Sequence, residues 1–294
     1  MTISGSHESD GVGAGVAAGV ADGVADGVGD GAADGVRAAG VAYGGGGGGV
    51  PNDDGHWVRW HQMYEDPDSP ISMRLRLVQV GVREVLDHHA PGPIRIVSMC
   101  AGQGRDVIDV VAVHRRRADV RARLVELDPA LVHFARARAA AAGVDEQIEV
   151  VEGDASLARS YAGAVPADLV LVCGVFGNIS GGDIRATVSR MPAFCAPGGT
   201  VIWTRHRRPP DLTSSIRAWF AQAGFVEKSF VAPPAPYILS VGCHVLARRP
   251  SGPSAGVALS EVAGADAGGV PAGMGTLDPG VRLFEFIGDG SRPA

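Results

Sequence analysis

Five short apolar runs recur between residues 94 and 205, and most of the stretches between them are long enough for helices. "IRIVSM" (94–99), "RARLVE" (121–126), "QIEVVEG" (147–153), "ADLVLVCG" (167–174) and "GGTVIWTR" (198–205) read as strands. Helices are predicted from Arg105 to about Arg116, from Pro129 to near Gly143, and over "DLTSSIRAWFAQAGF" (211–225). Strands alternating with helices specify a parallel sheet covered on both faces, because each crossover passes over the sheet before the next strand pairs. "VEKSFVA" (226–232) and "YILSVGCHVLAR" (237–248) then follow with only a short Pro-rich joint between them. That joint cannot hold a crossover helix, so the last two strands should form an antiparallel hairpin.

One helix precedes the first strand. Ile71, Leu75, Val78, Val82 and Leu86 recur at spacings of four, three, four and four, which puts them on one helical face. Ser69 and Pro70 suit its cap and first turn, and Pro91 lies beyond its end. The organisation expected is a helical segment over 53–93 and a sheet domain over 94–250, between two segments of biased composition. Residues 1–52 repeat Gly, Val, Ala and Asp and hold many of the 43 glycines. Glycine loses the most backbone freedom on folding and isolated valines bury too little to offset that, so a disordered tail is expected. Residues 251–294 begin as a flexible Gly/Ala/Ser/Pro linker and end in "VRLFEFIGDG", where Leu283, Phe284, Phe286 and Ile287 form a short apolar run. That run can dock on the core or add an edge strand.

Bulk properties narrow the function classes. A formal net charge of −6 gives no general attraction to nucleic acid. Arg115, Arg116, Arg117, Arg121 and Arg123 form a basic run, but at a turn on the edge opposite the expected site. Cys100, Cys173, Cys195 and Cys243 are far apart, so neither a disulfide framework nor a zinc site is expected, and reduced thiols in a cytoplasmic protein are. No stretch approaches the ~20 apolar residues of a membrane span, and no basic-then-apolar leader is visible. No clustered His, Cys or acidic pattern points to a metal.

The chemistry should sit in "VSMCAGQGRD", 97–106, where the first strand turns into its helix. A nucleoside binds at this edge of a parallel sheet, where glycine lets the backbone come close and the helix N-terminus presents free amides. Gly102 and Gly104 are placed for that. A dinucleotide fingerprint from Gly102 needs a small residue at 107, where the chain has Val107. Glu126, 22 positions after Gly104 at the end of the second strand, suits two ribose hydroxyls. Asp128 is better placed as a helix cap. Asp154, in "VEGDAS" just past the third strand, is placed to accept an exocyclic adenine amine or to cap the next turn.

Taken together, the strand, the Gly loop, the acidic strand end, the G-D-A segment, the apolar fourth strand and the closing hairpin resemble a class I S-adenosylmethionine-dependent methyltransferase over about 94–248. "CAGQGRDV" is similar to a bacterial methyltransferase subgroup of unassigned substrate. The resemblance implies a Rossmann-like seven-stranded sheet in the order 3-2-1-4-5-7-6, strand 7 antiparallel, with helices on both faces and an N-terminal helical lid. It implies S-adenosyl-L-methionine as cofactor, held by Ser98, Cys100, Ala101, Gly102, Gly104, Asp106, Glu126, Leu127, Asp154 and Ala155, with Gly174, Phe176 and Asn178 of "CGVFGNIS" at the reactive end. The family's first motif reads acid, then G-x-G-x-G; here Ser98 stands at the acidic position and Cys100 at the first glycine. Loop carbonyls, Ser98 and Asp106 are the candidates for the methionine amino end. Phe176 either lines the pocket or packs in the core.

Methyl transfer from a sulfonium expels a neutral leaving group, so alignment carries most of the catalysis and a base is needed only for a protonated acceptor. Two clusters can serve that acceptor. Arg205, His206, Arg207 and Arg208 follow the fifth strand: the histidine offers a base, the arginines an anion site. Trp57, Trp60, His61 and Tyr64 belong to the segment resembling a lid, or pack on the sheet. The expected partner is a small-molecule substrate, with no nucleic acid and no membrane. Two other readings compete: a methyltransferase-like binding module without turnover, motivated by Ser98 and Cys100, and a nicotinamide-dependent oxidoreductase.

Overall fold

The computed structural model describes residues 62–247 and 278–287. The tail at 1–52, most of the linker from 251, and Trp57, Trp60 and His61 lie outside those residues.

Seven strands form one sheet: β1 (Ile94–Met99), β2 (Val120–Glu126), β3 (Ile148–Glu152), β4 (Ala167–Val172), β5 (Cys195–His206), β6 (Phe225–Val231) and β7 (Leu239–Leu246). Their order is β3-β2-β1-β4-β5-β7-β6, as the family resemblance implies. β1 pairs in parallel with β2 and β4, from Ile94↔Val120 to Met99↔Val125 on one side and from Ile96↔Leu169 to Ser98↔Leu171 on the other. β7 runs antiparallel to both β5 and β6. All parallel strands therefore end at one rim, and the first helix crossovers start there.

Alternate residues of each strand feed two core layers. Ile94, Ile96, Leu124, Leu169, Leu171 and Ile202 face α1 (Pro70–His88), α2 (Arg105–Val113) and α3 (Pro129–Ala141). Val97, Met99, Val170, Val172, Val201 and Trp203 face α4 (Gly181–Phe194) and α5 (Thr213–Gln222). α1 buries Ile71, Val78, Val82 and Leu86 and is capped by Ser69, whose side chain accepts from the Ser72 amide at 3.2 Å. It packs closely enough on β5 that a Cβ at Gly81 would lie 2.9 Å from Ile202. The helix is thus a layer of the core, and among the described residues of the segment that resembles a lid, the turn Gln62–Glu65 lies against Arg105 at the start of α2.

One helix and the start of one strand escaped the sequence reading. α4 opens on Gly181–Gly182 and contains Pro192, residues that weaken a helical signal. Its cap, Ser180 accepting from the Asp183 amide at 3.0 Å, and its buried Ile184, Val188 and Met191 are the signals that mark it. β5 begins at Cys195, earlier than its apolar run, because Gly199 passes against the neighbouring backbone; a Cβ there would stand 2.8 Å from the Ala167 carbonyl oxygen.

The C-terminal apolar run docks on the core. Leu283 and Phe284 are each 1% exposed and join the layer of α4 and α5. Isolated bridges pair Arg282 with Leu157 and Phe286 with Ile179. Among the described residues no helix is long and apolar enough to cross a membrane, and no group of three or more His, Cys, Asp or Glu side chains is arranged to hold a metal. The four cysteines are free thiols.

Candidate functional site

β1 passes into α2 through a loop whose alternate residues are left-handed: Cys100 (φ 53°), Gly102 (φ 57°) and Gly104 (φ 68°). Gly104 is required twice over, because a Cβ would also lie 2.6 Å from Ile108 and 2.8 Å from Leu124. Cys100, where the resembled motif has glycine, keeps the backbone on the path a glycine would give it, at a conformational cost. The loop so formed turns its amides toward β2. The Ala101 amide donates to the Val125 carbonyl at 3.0 Å, and the Gly102 amide donates to Glu126 Oε2 at 2.7 Å.

Glu126 is buried at the end of β2, and its Oε1 accepts from the Leu127 and Asp128 amides at 2.8 and 3.0 Å. Burial raises its pKa, against the lowering effect of these three amides. A carboxylate has about four acceptor positions, so Oε2 keeps room for one more donor. Leu127, beside it, is exposed, while Asp128 caps α3 through the Ala130 and Leu131 amides. Ala155 is buried, and its carbonyl accepts from the Tyr161 hydroxyl at 2.6 Å. Burial, then charge at Cys100, Asp154 and Glu126, pushes Tyr161 well above the ordinary tyrosine pKa. The exits of β1, β2 and β3 therefore meet around one buried ring.

A second polar group lies under α1. Ser98 is fully buried, and among the described residues neither its Oγ nor Asp106 Oδ1 has a hydrogen-bond partner. Burial raises Asp106 to about 6; its own and the Val107 amides and the Arg74 charge work the other way, and Asp109 adds to the rise. Arg74 Nη2 donates to Tyr64 Oη at 3.4 Å, and burial raises the Tyr64 pKa. Cys173, at the exit of β4, is likewise raised by burial first and then by Asp106. Arg105 fastens the Gln62–Glu65 turn here: it pairs with Glu65 at 2.9 Å and lies over the rings of Tyr64 and Phe134 at 5.2 and 5.7 Å.

After β4, Gly174 (φ 77°) donates its amide to Thr204 Oγ1 at 3.0 Å and accepts from Asn178 Nδ2 at 2.6 Å; Asn178 itself is exposed at the rim. Phe176 is in the core, not the pocket. It is fully buried with its ring 6.1 Å from that of Trp203. The arginine cluster after β5 is also largely committed. Arg205 is buried and donates to the Phe176 and Pro210 carbonyls, while Arg207 donates to those of Pro233 and Tyr237. These two guanidiniums brace backbone and are not placed to bind a substrate anion.

His206 lies against the same loop, where a Cβ at Gly177 would come 3.3 Å from its ring. Burial, then Arg205 and Arg208, lower its pKa below the usual histidine value, and a backbone hydrogen bond at Gly177 opposes this. Nδ1 accepts from the Arg208 amide at 3.3 Å. In the neutral ring the proton then sits on Nε2, the nitrogen beside the Gly177 backbone.

Asp154 carries a contact that sequence reasoning missed. Its Oδ1 accepts from the Ser156 amide at 2.8 Å, and its Oδ2 faces Arg282 Nη1 at 3.3 Å. The arginine is far away in sequence and has no local signal. Only the apolar run after it hinted that the segment returns to the fold.

Comparison with known proteins decides among the readings of this rim. Residues 72–224, just over half of the chain, match the family model described as "Putative methyltransferase". The chain belongs to this methyltransferase family. Its fold is that of the magnesium protoporphyrin IX methyltransferase of Synechocystis PCC 6803. The form of that enzyme bound to S-adenosylhomocysteine is 13% identical and aligns over 64% of this chain and 93% of that one, with a TM-score of 0.51. The form bound to S-adenosylmethionine gives 15% identity, 64% and 90% coverage, and the same TM-score, 0.51. The CurJ carbon methyltransferase is similar at 14% identity, 66% and 59% coverage, and a TM-score of 0.50. No curated protein matches the sequence. The family match and the hairpin beyond β5 together set the oxidoreductase reading aside.

Proposed function

We propose that this protein transfers a methyl group from S-adenosylmethionine to a small-molecule acceptor. The observation that carries the reading is the hydrogen bond from the Gly102 amide to Glu126 Oε2, 2.7 Å long, which joins the glycine loop and the strand-end acid in one hollow. The residues present fit the cofactor. Glu126 has an acceptor position for a ribose hydroxyl, Leu127 is an exposed apolar surface suited to an adenine face, and the unpartnered Asp106 Oδ1 suits an ammonium. Ser98 Oγ, likewise without a partner among the described residues, is a further acceptor at the end of β1. The cofactor supplies a methyl on a sulfonium whose departure leaves a neutral thioether.

The chain's own residues then bind and orient. The Cys100–Gly104 loop and Glu126 fix the nucleoside, and Asp106 fixes the amino-acid end. The Gly174–Asn178 loop, held by Thr204 and lying against His206, forms the wall facing the acceptor. Alignment of this kind removes roughly 7–11 kcal/mol of barrier, so no side chain need act as a strong base. His206, with its Nε2 beside the Gly177 backbone, braces that wall. A small acceptor fits the net charge of −6 and the commitment of Arg205 and Arg207 to backbone carbonyls.

The reading of a binding module without turnover rested on Ser98 and Cys100. Cys100 takes the left-handed conformation of the glycine it replaces, and Asp106 brings a carboxylate to the side of the rim that Ser98 leaves without one. Titration of the full-length protein with S-adenosylhomocysteine tests the proposal. Micromolar binding that is lost in Glu126→Ala is expected; no binding at high micromolar ligand would end it.

A further inference from the structure

The segment Asp278–Ile287 lies outside the residues matched by the family, yet it is built into the rim. Past β3 the chain runs through Gly153–Leu157 before the short turn Ala158–Tyr161, and much of its backbone is satisfied by this distant segment. The Leu283 amide donates to the Ser156 carbonyl at 2.7 Å, while the Ala158 and Arg159 amides donate to the Val281 and Pro279 carbonyls at 3.0 and 3.2 Å. A second anchor lies at the exit of β4, where the Ile287 amide donates to the Asn178 carbonyl at 2.8 Å. Thr187 Oγ1 donates to the Leu283 carbonyl at 2.9 Å, and Leu283 and Phe284 fill the core beneath. The segment therefore spans the exits of β3 and β4 as a fixed strap.

Between its buried neighbours, Arg282 points the other way. Its Nη1 donates to Ser156 Oγ at 2.7 Å and reaches Asp154 Oδ2 at 3.3 Å, with Glu285 3.9 Å from its Nε. Asp154 is thus held at both oxygens, by the Ser156 amide on one and the guanidinium on the other. A guanidinium on one side fixes the plane of the carboxylate.

We infer that Arg282, delivered by the C-terminal strap, is the positioning residue that fixes Asp154 for recognition of the exocyclic amine of adenine. The inference rests on the cofactor reading above, and its test separates the two. Full-length wild type and Arg282→Met are titrated with S-adenosylhomocysteine and with S-inosylhomocysteine, in which an oxo group replaces the amine. Arg282 is partly exposed, so methionine keeps the stem without unfolding the strap, and a melting curve checks this. Wild type should prefer the adenosyl ligand by about tenfold or more, and Arg282→Met should lose about tenfold for that ligand while the inosyl ligand changes by less than about twofold. Arg282→Lys, which keeps a donor and a charge, should restore part of the preference. Equal weakening of both ligands, no change in either, or a wild type without preference overturns the inference. A wild type that binds neither ligand overturns the cofactor reading itself.

Discussion

The Gly102 amide donates to Glu126 Oε2 across 2.7 Å, so the loop after β1 and the end of β2 are one unit before any ligand arrives. Removing the carboxylate strands three amides, at Gly102, Leu127 and Asp128. Glu126→Ala should therefore lose about 1–3 kcal/mol of stability, as expected when buried donors go unpaired. It should lose S-adenosylhomocysteine binding as well. Urea unfolding beside calorimetric titration separates the two effects: a variant with full stability and full affinity would show that the carboxylate has neither role.

Asp106 gives a pH signature. Its folded pKa is about 6, raised mainly by burial from an ordinary 3.8. A carboxyl raised on folding binds its proton more tightly in the native state, so its contribution is fully present below the unfolded value and is lost as pH rises through the folded one. Stability should fall by about 2–3 kcal/mol between pH 4 and pH 6.5 from this group, and Asp106→Asn should flatten that slope. An ammonium bound at Oδ1 would favour the ionised form. Titration of S-adenosylhomocysteine at pH 6, in buffers of different ionisation enthalpy, should then show proton release in wild type and none in Asp106→Asn. Uptake of protons would place the amino end elsewhere.

Cys100 holds φ 53° where a glycine would do so without strain. A left-handed residue with a Cβ costs about 1–2 kcal/mol, and a β-branched one more. Glycine recovers that cost but adds freedom to the unfolded chain, of about 0.4–1 kcal/mol. Cys100→Gly should come out stabilising by about 0.5 kcal/mol, with Cys100→Val destabilising by about 2. Thermal unfolding of the pair reads the difference; the opposite order would mean the loop takes another path.

The strap can be tested by packing alone. Phe284 is 1% exposed and meets Phe286 edge-on at 5.4 Å. Phe284→Ala should cost about 3–5 kcal/mol, the range for a buried aromatic, and a cost below about 1 would show that the segment is not part of the folded core.

The strands and the closing hairpin were legible because their evidence is local, while the strand order came from the family resemblance. Each strand is an apolar run, and the Pro-rich joint before β7 admits only a hairpin. Gly102, Gly104 and Glu126 were legible for the same reason: a turn and a strand end place them. What stayed hidden depends on partners far away in sequence. Phe176 reads equally as a pocket wall or a core residue until Trp203 is seen beside it. Arg205 and Arg207 read as an anion site until the carbonyls of Phe176, Pro210, Pro233 and Tyr237 take up their donors. Arg282 has no signature at all, since its function comes from where Leu283 and Phe284 bury themselves. α4 was hidden by its own residues, Gly181, Gly182 and Pro192.

His206 is the residue whose chemistry the geometry changes most. The sequence offers a general base after β5. In the fold its Nδ1 accepts the Arg208 amide at 3.3 Å, so a neutral ring carries its proton on Nε2, beside the Gly177 backbone. Burial first, then Arg205 and Arg208, lower its pKa below the ordinary histidine value. A residue acting as a hydrogen-bond donor should tolerate glutamine, whose amide can also donate, better than leucine. His206→Gln should keep within about tenfold of the wild-type methyl-transfer rate, and His206→Leu should fall by a further factor of ten or more. Equal loss of rate in both substitutions would restore the general base, since neither side chain can take a proton.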